Sequence, residues 1–347
     1  MKRAAFSTAD ERFMRRALRL AERGRGTTRP NPTVGAVIVR NGRVVGQGFH
    51  ERAGGPHAEI AALASVRGDA RGTTMYVTLE PCCHTGRTGP CTEAILKARP
   101  ARVVVGCGDP NPVVDGRGIA RLRRAGIQVD TGCLEPEARA AIRAYATWIA
   151  EKRPLVTLKV AATLDGYIAD AHPRGRRAPA FLTGPEARRV AHELRAEHDA
   201  VLVGAGTARA DDPRLTVRLP GHDAASGPLR VLLAGRGGLP ARLKMLRGRP
   251  GSVVIRPARD LRRALQALAR DHAVHSVLVE GGATIHGAFI AAGLVDRVAL
   301  FLAPRLIGGG VPIARGADLP LAKALRLGPL STRTVGQDLL ITADVVA

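Results

Sequence analysis

His57 and Cys91 each stand where an apolar helical pattern begins, and Cys82 stands just past the end of a strand pattern. A chain that brings these three side chains together must set two helix starts and one strand end at the same edge of a sheet, which calls for layered α/β architecture. One imidazole and two thiolates are borderline-to-soft ligands that suit a tetrahedral zinc with its fourth corner open. An open corner marks a catalytic rather than a structural zinc. Glu59, two residues beyond His57, is placed to carry protons beside such a metal without ligating it.

The flanking patterns agree with an α/β layer. Thr8-Ala9-Asp10-Glu11 reads as a capping box, and Phe13, Met14, Ala17, Leu18 and Ala21 recur at helical spacing until Gly24. Thr33–Val39 is a strand pattern, and Asn41-Gly42 is a type I′ turn signal that returns Val44–Phe49 antiparallel to it. A helix is expected from His57 to Ala64, a strand from Met75 to Leu79, a helix from Cys91 to Ala98, a strand at Val103–Val105 and a helix from Gly118 to Ala125. Together they predict a sandwich around one mixed sheet.

The chain has 347 residues, enough for two domains. The charged junction Ala150-Glu151-Lys152-Arg153-Pro154 sets their expected limits at residues 1–150 and 154–347. Beyond it, Leu155–Val160, Ala200–Val203, Leu229–Leu233, Ser252–Ile255, Ser276–Val279 and Arg297–Leu302 read as strands. A capping box at Thr183-Gly184-Pro185-Glu186 opens a helix to about Glu197, and the alternation implies a largely parallel sheet.

Hydrophobic residues make up 45% of the chain and aromatics 3%, so the cores must be aliphatic. No apolar run reaches the length of a membrane span, and the first residues lack the apolar segment of a secretory signal, so a cytoplasmic protein is expected. Five cysteines in so long a chain do not form a disulfide framework; Cys107 and Cys133 read as small buried hydrophobes. The net charge of +23 comes from arginine spread along the whole length without interleaved aromatics, which argues against a nucleic-acid partner.

His-x-Glu followed by Pro-Cys and a second cysteine is the signature of zinc-dependent nucleobase deaminases. Cys83 follows Cys82 directly and should point elsewhere, and His84 is better placed for substrate than for metal. Nucleoside deaminases carry two residues between their cysteines; here eight intervene, Cys83 to Pro90, and Arg87 in that insertion suits a phosphate. In the second half Gly204-Ala205-Gly206-Thr207 lacks the third glycine and the distant acid of a dinucleotide fingerprint, which argues against a Rossmann site. Val279-Glu280-Gly281-Gly282-Ala283-Thr284 reads as strand, glycine turn and helix start, where backbone N–H groups meet a pyrophosphate.

Pro30-Asn31-Pro32-Thr33-Val34-Gly35, His57-Ala58-Glu59, Thr78-Leu79-Glu80-Pro81-Cys82, Gly86-Arg87-Thr88-Gly89-Pro90-Cys91 and Asp109-Pro110-Asn111-Pro112 resemble the bifunctional riboflavin-biosynthesis deaminase–reductases. So do Leu164-Asp165-Gly166, Ala187-Arg188-Arg189, Asp211–Arg218 and Val279–Gly282. The resemblance implies a cytidine-deaminase-like α/β/α sandwich followed by a dihydrofolate-reductase-like α/β domain. It implies hydrolytic deamination of a phosphorylated diaminopyrimidine, then reduction of its ribosyl group by NADPH. Zinc would be held by His57, Cys82 and Cys91, with Glu59 as acid and base. Asn31, His50, His84 and Arg87 would face that substrate. Arg195, Leu215, Arg218 and Glu280 would face the reductase substrate, and Ala161, Phe181, Thr207, Asp211, Gly282, Ala283 and Thr284 the cofactor. Such reductase domains associate, so a dimer or tetramer is expected.

Two positions depart from the family pattern. Pro179-Ala180-Phe181-Leu182-Thr183 lacks the serine usual before the helix at Pro185, and a strand that usually ends in Asp-Ser ends here in Ala234-Gly235. Both bear on the reductase pocket. They leave open a rival reading, a deaminase whose second domain is inactive or acts on another substrate.

Overall fold

The computed structural model describes residues 6–84, 89–171, 181–222, 227–235, 242–247, 251–257 and 259–346. The chain divides into two compact units, Met1–Lys152 and Arg153–Ala347.

The first unit runs α1 (Thr8–Glu22), β1 (Gly35–Arg40), β2 (Arg43–Phe49), α2 (Ala58–Ala64), β3 (Thr74–Leu79), α3 (Cys91–Ala98), β4 (Arg102–Cys107), α4 (Arg117–Arg124), β5 (Gln128–Thr131), α5 (Glu135–Ala141) and α6 (Arg143–Glu151). Its sheet has the order β2-β1-β3-β4-β5, with β1 antiparallel to both neighbours and β3, β4 and β5 parallel. Asn41 and Gly42 both take positive φ, 49° and 72°, as a type I′ turn requires. Alternate strand residues supply two cores. Ile38, Met75, Val77, Val103 and Val105 pack with Ala58, Ala62, Ile95 and Leu122 of α2, α3 and α4. Val37, Val39, Tyr76 and Val104 pack with Phe13, Met14, Ala17 and Leu20 of α1. This period-two division makes the unit an α/β/α sandwich. At Gly35 a Cβ would run into the Ala17 carbonyl oxygen, so glycine is what lets α1 lie this close to β1.

The capping box of α1 is one residue earlier than the sequence suggested. Ser7 is the cap, and its side chain and backbone N–H pair reciprocally with Asp10. Asp10 is also bonded by the Tyr76 hydroxyl at 2.8 Å and Arg102 Nη1 at 2.6 Å. Burial raises the Asp10 pKa, but Arg102, Tyr76 and Ser7 outweigh it and hold the carboxyl down at about 2. A carboxylate depressed below its unfolded value of about 3.9 stabilises the fold above that pH. The contribution is lost as pH falls through the window from about 4 to about 2. Arg102→Ala is expected to cost about 2 kcal/mol at neutral pH and to flatten this acid limb; urea titrations of wild type and variant between pH 7 and pH 2 check both effects.

The second unit begins with β6 (Leu155–Thr163), β7 (Tyr167–Ala169), α7 (Pro185–Glu197), β8 (Ala200–Gly204), α8 (Ala205–Asp211), β9 (Leu229–Ala234), β10 (Val253–Pro257) and α9 (Leu261–His272). It continues with β11 (Ser276–Val279), α10 (Ala283–Ala291), β12 (Arg297–Ala303), β13 (Val311–Pro312), β14 (Arg326–Leu327), β15 (Ser331–Val335) and β16 (Asp338–Val346). The main sheet has the order β10-β9-β8-β11-β6-β12-β16-β14, and β15 also pairs with β16. The pairings from β10 to β12 are all parallel, and β16 closes that run antiparallel to β12. One face buries Leu265 and Leu268 of α9 and Phe289 of α10 against Val156, Leu158, Val231, Val277 and Val279. On the other face Ala187 and Val190 of α7 pack on Ala299 and Phe301, while Leu215 and Met245 cover Val201, Val203 and Leu232.

The expected box at Thr183–Glu186 is replaced by a distant cap. Gly184 is the N-cap, without a side-chain capping bond, and its N–H donates to Asp338 Oδ2 of β16 at 2.7 Å. Neither β5, α5 and α6 nor β7 and β13–β16 was expected from the pattern.

Candidate active sites

Three elements converge on the first site. His57 is the N-cap of α2, Cys91 is the first residue of α3, and Cys82 lies three residues beyond β3. Their ligand atoms all lie within 4.8 Å of one another. A tetrahedral zinc with bonds of about 2.0–2.3 Å spaces its ligands about 3.5 Å apart. His57 Nδ1 stands 3.2 Å from Cys91 Sγ and 3.6 Å from Cys82 Sγ, so the donor set fits that ion. Cys83 is outside the cluster among the described residues, while Cys107 and Cys133 are buried.

The α3 N-terminus also favours anionic sulfur. The Cys91 backbone N–H donates to Cys82 Sγ at 3.3 Å. A hydrogen bond from the Cys91 thiol, then one from His57, holds the Cys82 thiol down at about 4 against its burial. Cys91 is pushed up by the same shared hydrogen bond and by burial. A divalent cation takes the place of the shared proton and lets both sulfurs ionise.

Glu59, in the first turn of α2, is 3% exposed. Burial pushes its carboxyl up to about 7, against its own backbone N–H, and Cys91 lies within hydrogen-bonding reach. A carboxyl with that affinity takes and returns protons near neutral pH.

Glu80, quoted in the sequence only as part of a motif, proves to be the brace of this site. Its carboxylate accepts from four backbone N–H groups, those of Asp109, Gly116, Gly118 and Ile119, at 3.4, 3.0, 2.9 and 3.2 Å. These bonds tie the turn carrying Cys82 to the loop before α4 and to the first turn of that helix. The approach is so close that a Cβ on Gly118 would strike the Pro81 carbonyl oxygen. Glu80→Ala would strand those donors, and is expected to destabilise the first unit by about 3 kcal/mol and to weaken zinc retention. Calorimetry with metal analysis checks it; unchanged melting and unchanged zinc would remove Glu80 from this role.

Asn31 and His50 lie beside the cluster. The two rings of His50 and His57 meet edge to face with centroids 5.2 Å apart. His50 is 2% exposed, its Nδ1 lies 2.9 Å from the Pro56 carbonyl oxygen, and its Nε2 lies 3.0 Å from Asn31 Nδ2. Burial keeps its pKa below the ordinary value. His84 is exposed, and Arg87 lies outside the described residues.

The second unit gathers a different set. Glu280, just past β11, accepts from Arg195 Nε at 2.5 Å and Nη2 at 2.8 Å, and Arg195 Nη1 donates to the Thr216 carbonyl at 3.1 Å. Burial raises the Glu280 pKa, but the Arg195 charge and hydrogen bond outweigh it and hold the carboxyl down at about 2. Lys159 of β6 stands 4.0 Å from Glu280, and burial lowers its pKa. Sequence reasoning missed it, although a lone lysine inside an apolar strand pattern was a usable signal. Burial, then the charges of Arg195 and Arg218, pushes His192 down to about 4. Arg218 is exposed, with its backbone N–H on His192 Nδ1. Leu215, expected to face the substrate, is 2% exposed, with its side chain in the core and a φ of 54°.

Gly282 is the N-cap of α10, with no side-chain capping bond, and Ala283 and Thr284 form its first turn. The Thr207 hydroxyl of α8 lies against Gly282, and Asp211 ends that helix. This uncapped helix start leaves N–H groups for a phosphate. Ala161 is half-buried on β6 beside the α7 core. Phe181 is 62% exposed, with the Arg188 guanidinium 4.5 Å from its ring centroid. Pro179 lies outside the described residues, and Ala234 is the last residue of β9.

A family model described as the RibD C-terminal domain matches residues 154–341. Another, described as the cytidine and deoxycytidylate deaminase zinc-binding region, matches residues 7–107. The riboflavin biosynthesis protein RibD of Aquifex aeolicus (strain VF5) is 38% identical over 353 residues, 96% of this chain and 97% of that one. The protein of the same description from Escherichia coli (strain K12) is 38% identical over 368 residues, 96% of this chain and 98% of its own. Among solved structures, Acinetobacter baumannii RibD, form 1, superposes with a TM-score of 0.87 at 37% identity, covering 98% of this chain and 99% of that one. A Thermotoga maritima structure described as a diaminohydroxyphosphoribosylaminopyrimidine deaminase/5-amino-6-(5-phosphoribosylamino)uracil reductase has a TM-score of 0.87 at 36% identity, covering 97% and 99%.

Proposed function

Because the chain belongs to the RibD family of bifunctional riboflavin-biosynthesis deaminase–reductases, we propose that its two units run the family's two reactions with the residues described above. The first unit removes the 2-amino group of 2,5-diamino-6-ribosylamino-4(3H)-pyrimidinone 5′-phosphate by hydrolysis. The second uses NADPH to reduce the ribosyl group and gives 5-amino-6-(5-phosphoribitylamino)uracil. The convergence of His57, Cys82 and Cys91 around buried Glu59 is the observation that carries the reading.

His57, Cys82 and Cys91 hold the zinc, which when bound supplies Lewis acidity that readies water for attack near neutral pH. Glu59 takes a proton from the attacking water, passes it to a ring nitrogen, and assists departure of ammonia. Asn31 holds the pyrimidine edge, and His84 and Arg87 extend the site towards the phosphate.

In the second unit, Gly282, Ala283, Thr284 and Thr207 receive the phosphates of NADPH, which supplies the hydride. Ala161, Phe181 and Asp211 complete the cofactor's side. Glu280 fixes Arg195, and with Arg218 and Lys159 the cluster carries a net positive charge for a phosphorylated substrate. The match of the RibD C-terminal model across residues 154–341 favours a working reductase over the inactive alternative.

Chelating the zinc is expected to abolish ammonia release while leaving NADPH oxidation on supplied deaminated compound intact. Loss of both activities together, or of neither, would refute this division of labour.

Self-association through the second unit is part of the same proposal. It is supported by exposed Leu321, Leu327, Leu330 and Val346 in its last 27 residues, with Leu327 lining an apolar cavity of about 300 Å³. Sedimentation should give a dimer or tetramer; a monomer would reject it. A cytoplasmic location fits five free thiols, and fractionation of expressing cells tests it.

A further inference from the structure

The hydrogens of the His50–Asn31 pair follow from geometry. The Pro56 carbonyl oxygen only accepts, so His50 Nδ1, 2.9 Å away, carries a proton. In the neutral ring Nε2 then presents a lone pair, and the Asn31 amide stands 3.0 Å from it. Only the NH2 end of an amide can face a lone pair, so Nδ2 points to His50 and Oδ1 points away. Turning the amide over would set Oδ1 against the Nε2 lone pair. Both His50 nitrogens are engaged and the ring is 2% exposed, so it has little left to offer a ligand. Asn31 is half-buried, and among the described residues its Oδ1 and second Nδ2–H have no protein partner.

We infer that His50 is a positioning residue that locks Asn31 in one amide orientation, and that the locked amide selects a 4-oxo pyrimidine over a 4-amino one. This inference rests on the pyrimidine-deaminase reading of the first unit. A 4-oxo pyrimidine presents an N3–H donor beside a C4 carbonyl acceptor, which pair with Oδ1 and Nδ2–H. A 4-amino pyrimidine presents an N3 acceptor beside an amino donor, the reverse order. With the reacting carbon fixed at the metal ligands, that ring is matched only by the flipped amide that His50 forbids. The lock lets one asparagine discriminate, where a free asparagine would turn to suit either ring.

Two measurements on the full zinc-loaded chain test this. Nitrogen-15 NMR of histidine-labelled protein should find His50 neutral and protonated on Nδ1, and Asn31→Ala should shift its Nε2 resonance. A proton on Nε2, or an Nε2 signal indifferent to Asn31→Ala, would overturn the lock. The second measures competitive inhibition of ammonia release by 5-amino-6-ribosylaminouracil 5′-phosphate and by its 4-amino counterpart. Wild type should favour the 4-oxo compound by about 30-fold, the effect of two mismatched hydrogen bonds. His50→Leu should cut that preference to about threefold with zinc still bound, and an unchanged preference would overturn the selection. A chain that releases no ammonia from the diaminopyrimidine refutes the functional reading instead, and the NMR still decides the lock.

Discussion

Replacing Glu59 by glutamine is expected to lower the rate of ammonia release about 10⁴-fold, the upper range for loss of a positioned acid–base group. The substitution keeps the shape of a side chain that is 3% exposed, so folding and zinc content should hold. NADPH oxidation on supplied deaminated compound should also hold, because Glu59 belongs to the first unit and the reductase cluster to the second. Steady-state kinetics with metal analysis reads all three quantities. A loss smaller than about tenfold would mean that another group moves the proton.

Arg195→Ala is expected to have the largest effect in the second unit. The Glu280 side chain is 9% exposed, and without Arg195 the cation left beside it is Lys159 at 4.0 Å. Removing one member of a buried pair costs about 3–5 kcal/mol, because the other charge stays behind. Urea unfolding should show that loss, and NADPH oxidation should vanish while ammonia release continues. Replacing both partners, Arg195→Met with Glu280→Leu, should restore much of the stability without restoring reduction. That separates a structural role from a role in the reaction: if the double variant still oxidises NADPH, the pair only holds the fold. The acid dependence has a definite sign. Glu280 is depressed to about 2, so its share of stability is present above its unfolded pKa of about 4.3 and is lost between about 4 and about 2.

What the sequence disclosed divides along the line between local and long-range causes. The helix from Cys91 to Ala98 and the strand at Ser276–Val279 coincide with α3 and β11, because proline and glycine punctuate them and their apolar periodicity is complete. The Asn41-Gly42 turn was legible because few residue pairs take two positive φ angles. Residues 128–151 were not. β5 is a four-residue edge strand, and α5 begins after Leu134 in the left-handed conformation, where no ordinary capping residue announces it. The cap of α7 was misread because its acceptor, Asp338, lies 154 residues away. In the first site the clustering of His57, Cys82 and Cys91 near Glu59 was legible as a motif, since each part alone is common but the combination at strand and helix ends is not. The work of Glu80 was not, because its four donors come from the loop before α4 and the first turn of that helix, 29 to 39 residues later. The engagement of His50 with Asn31 and Pro56 likewise needed the folded chain.

The central claim is that one chain carries both reactions in sequence. Zinc-loaded protein should be given the diaminopyrimidine ribosyl phosphate and NADPH, with ammonia and NADPH followed separately. Ammonia should appear first, and NADPH should then fall by one equivalent per ammonia released, with the departures at Pro179 and Ala234 tolerated. Ammonia without NADPH loss would contradict the two-reaction account and leave a deaminase alone; neither signal, with zinc bound, would contradict the substrate itself.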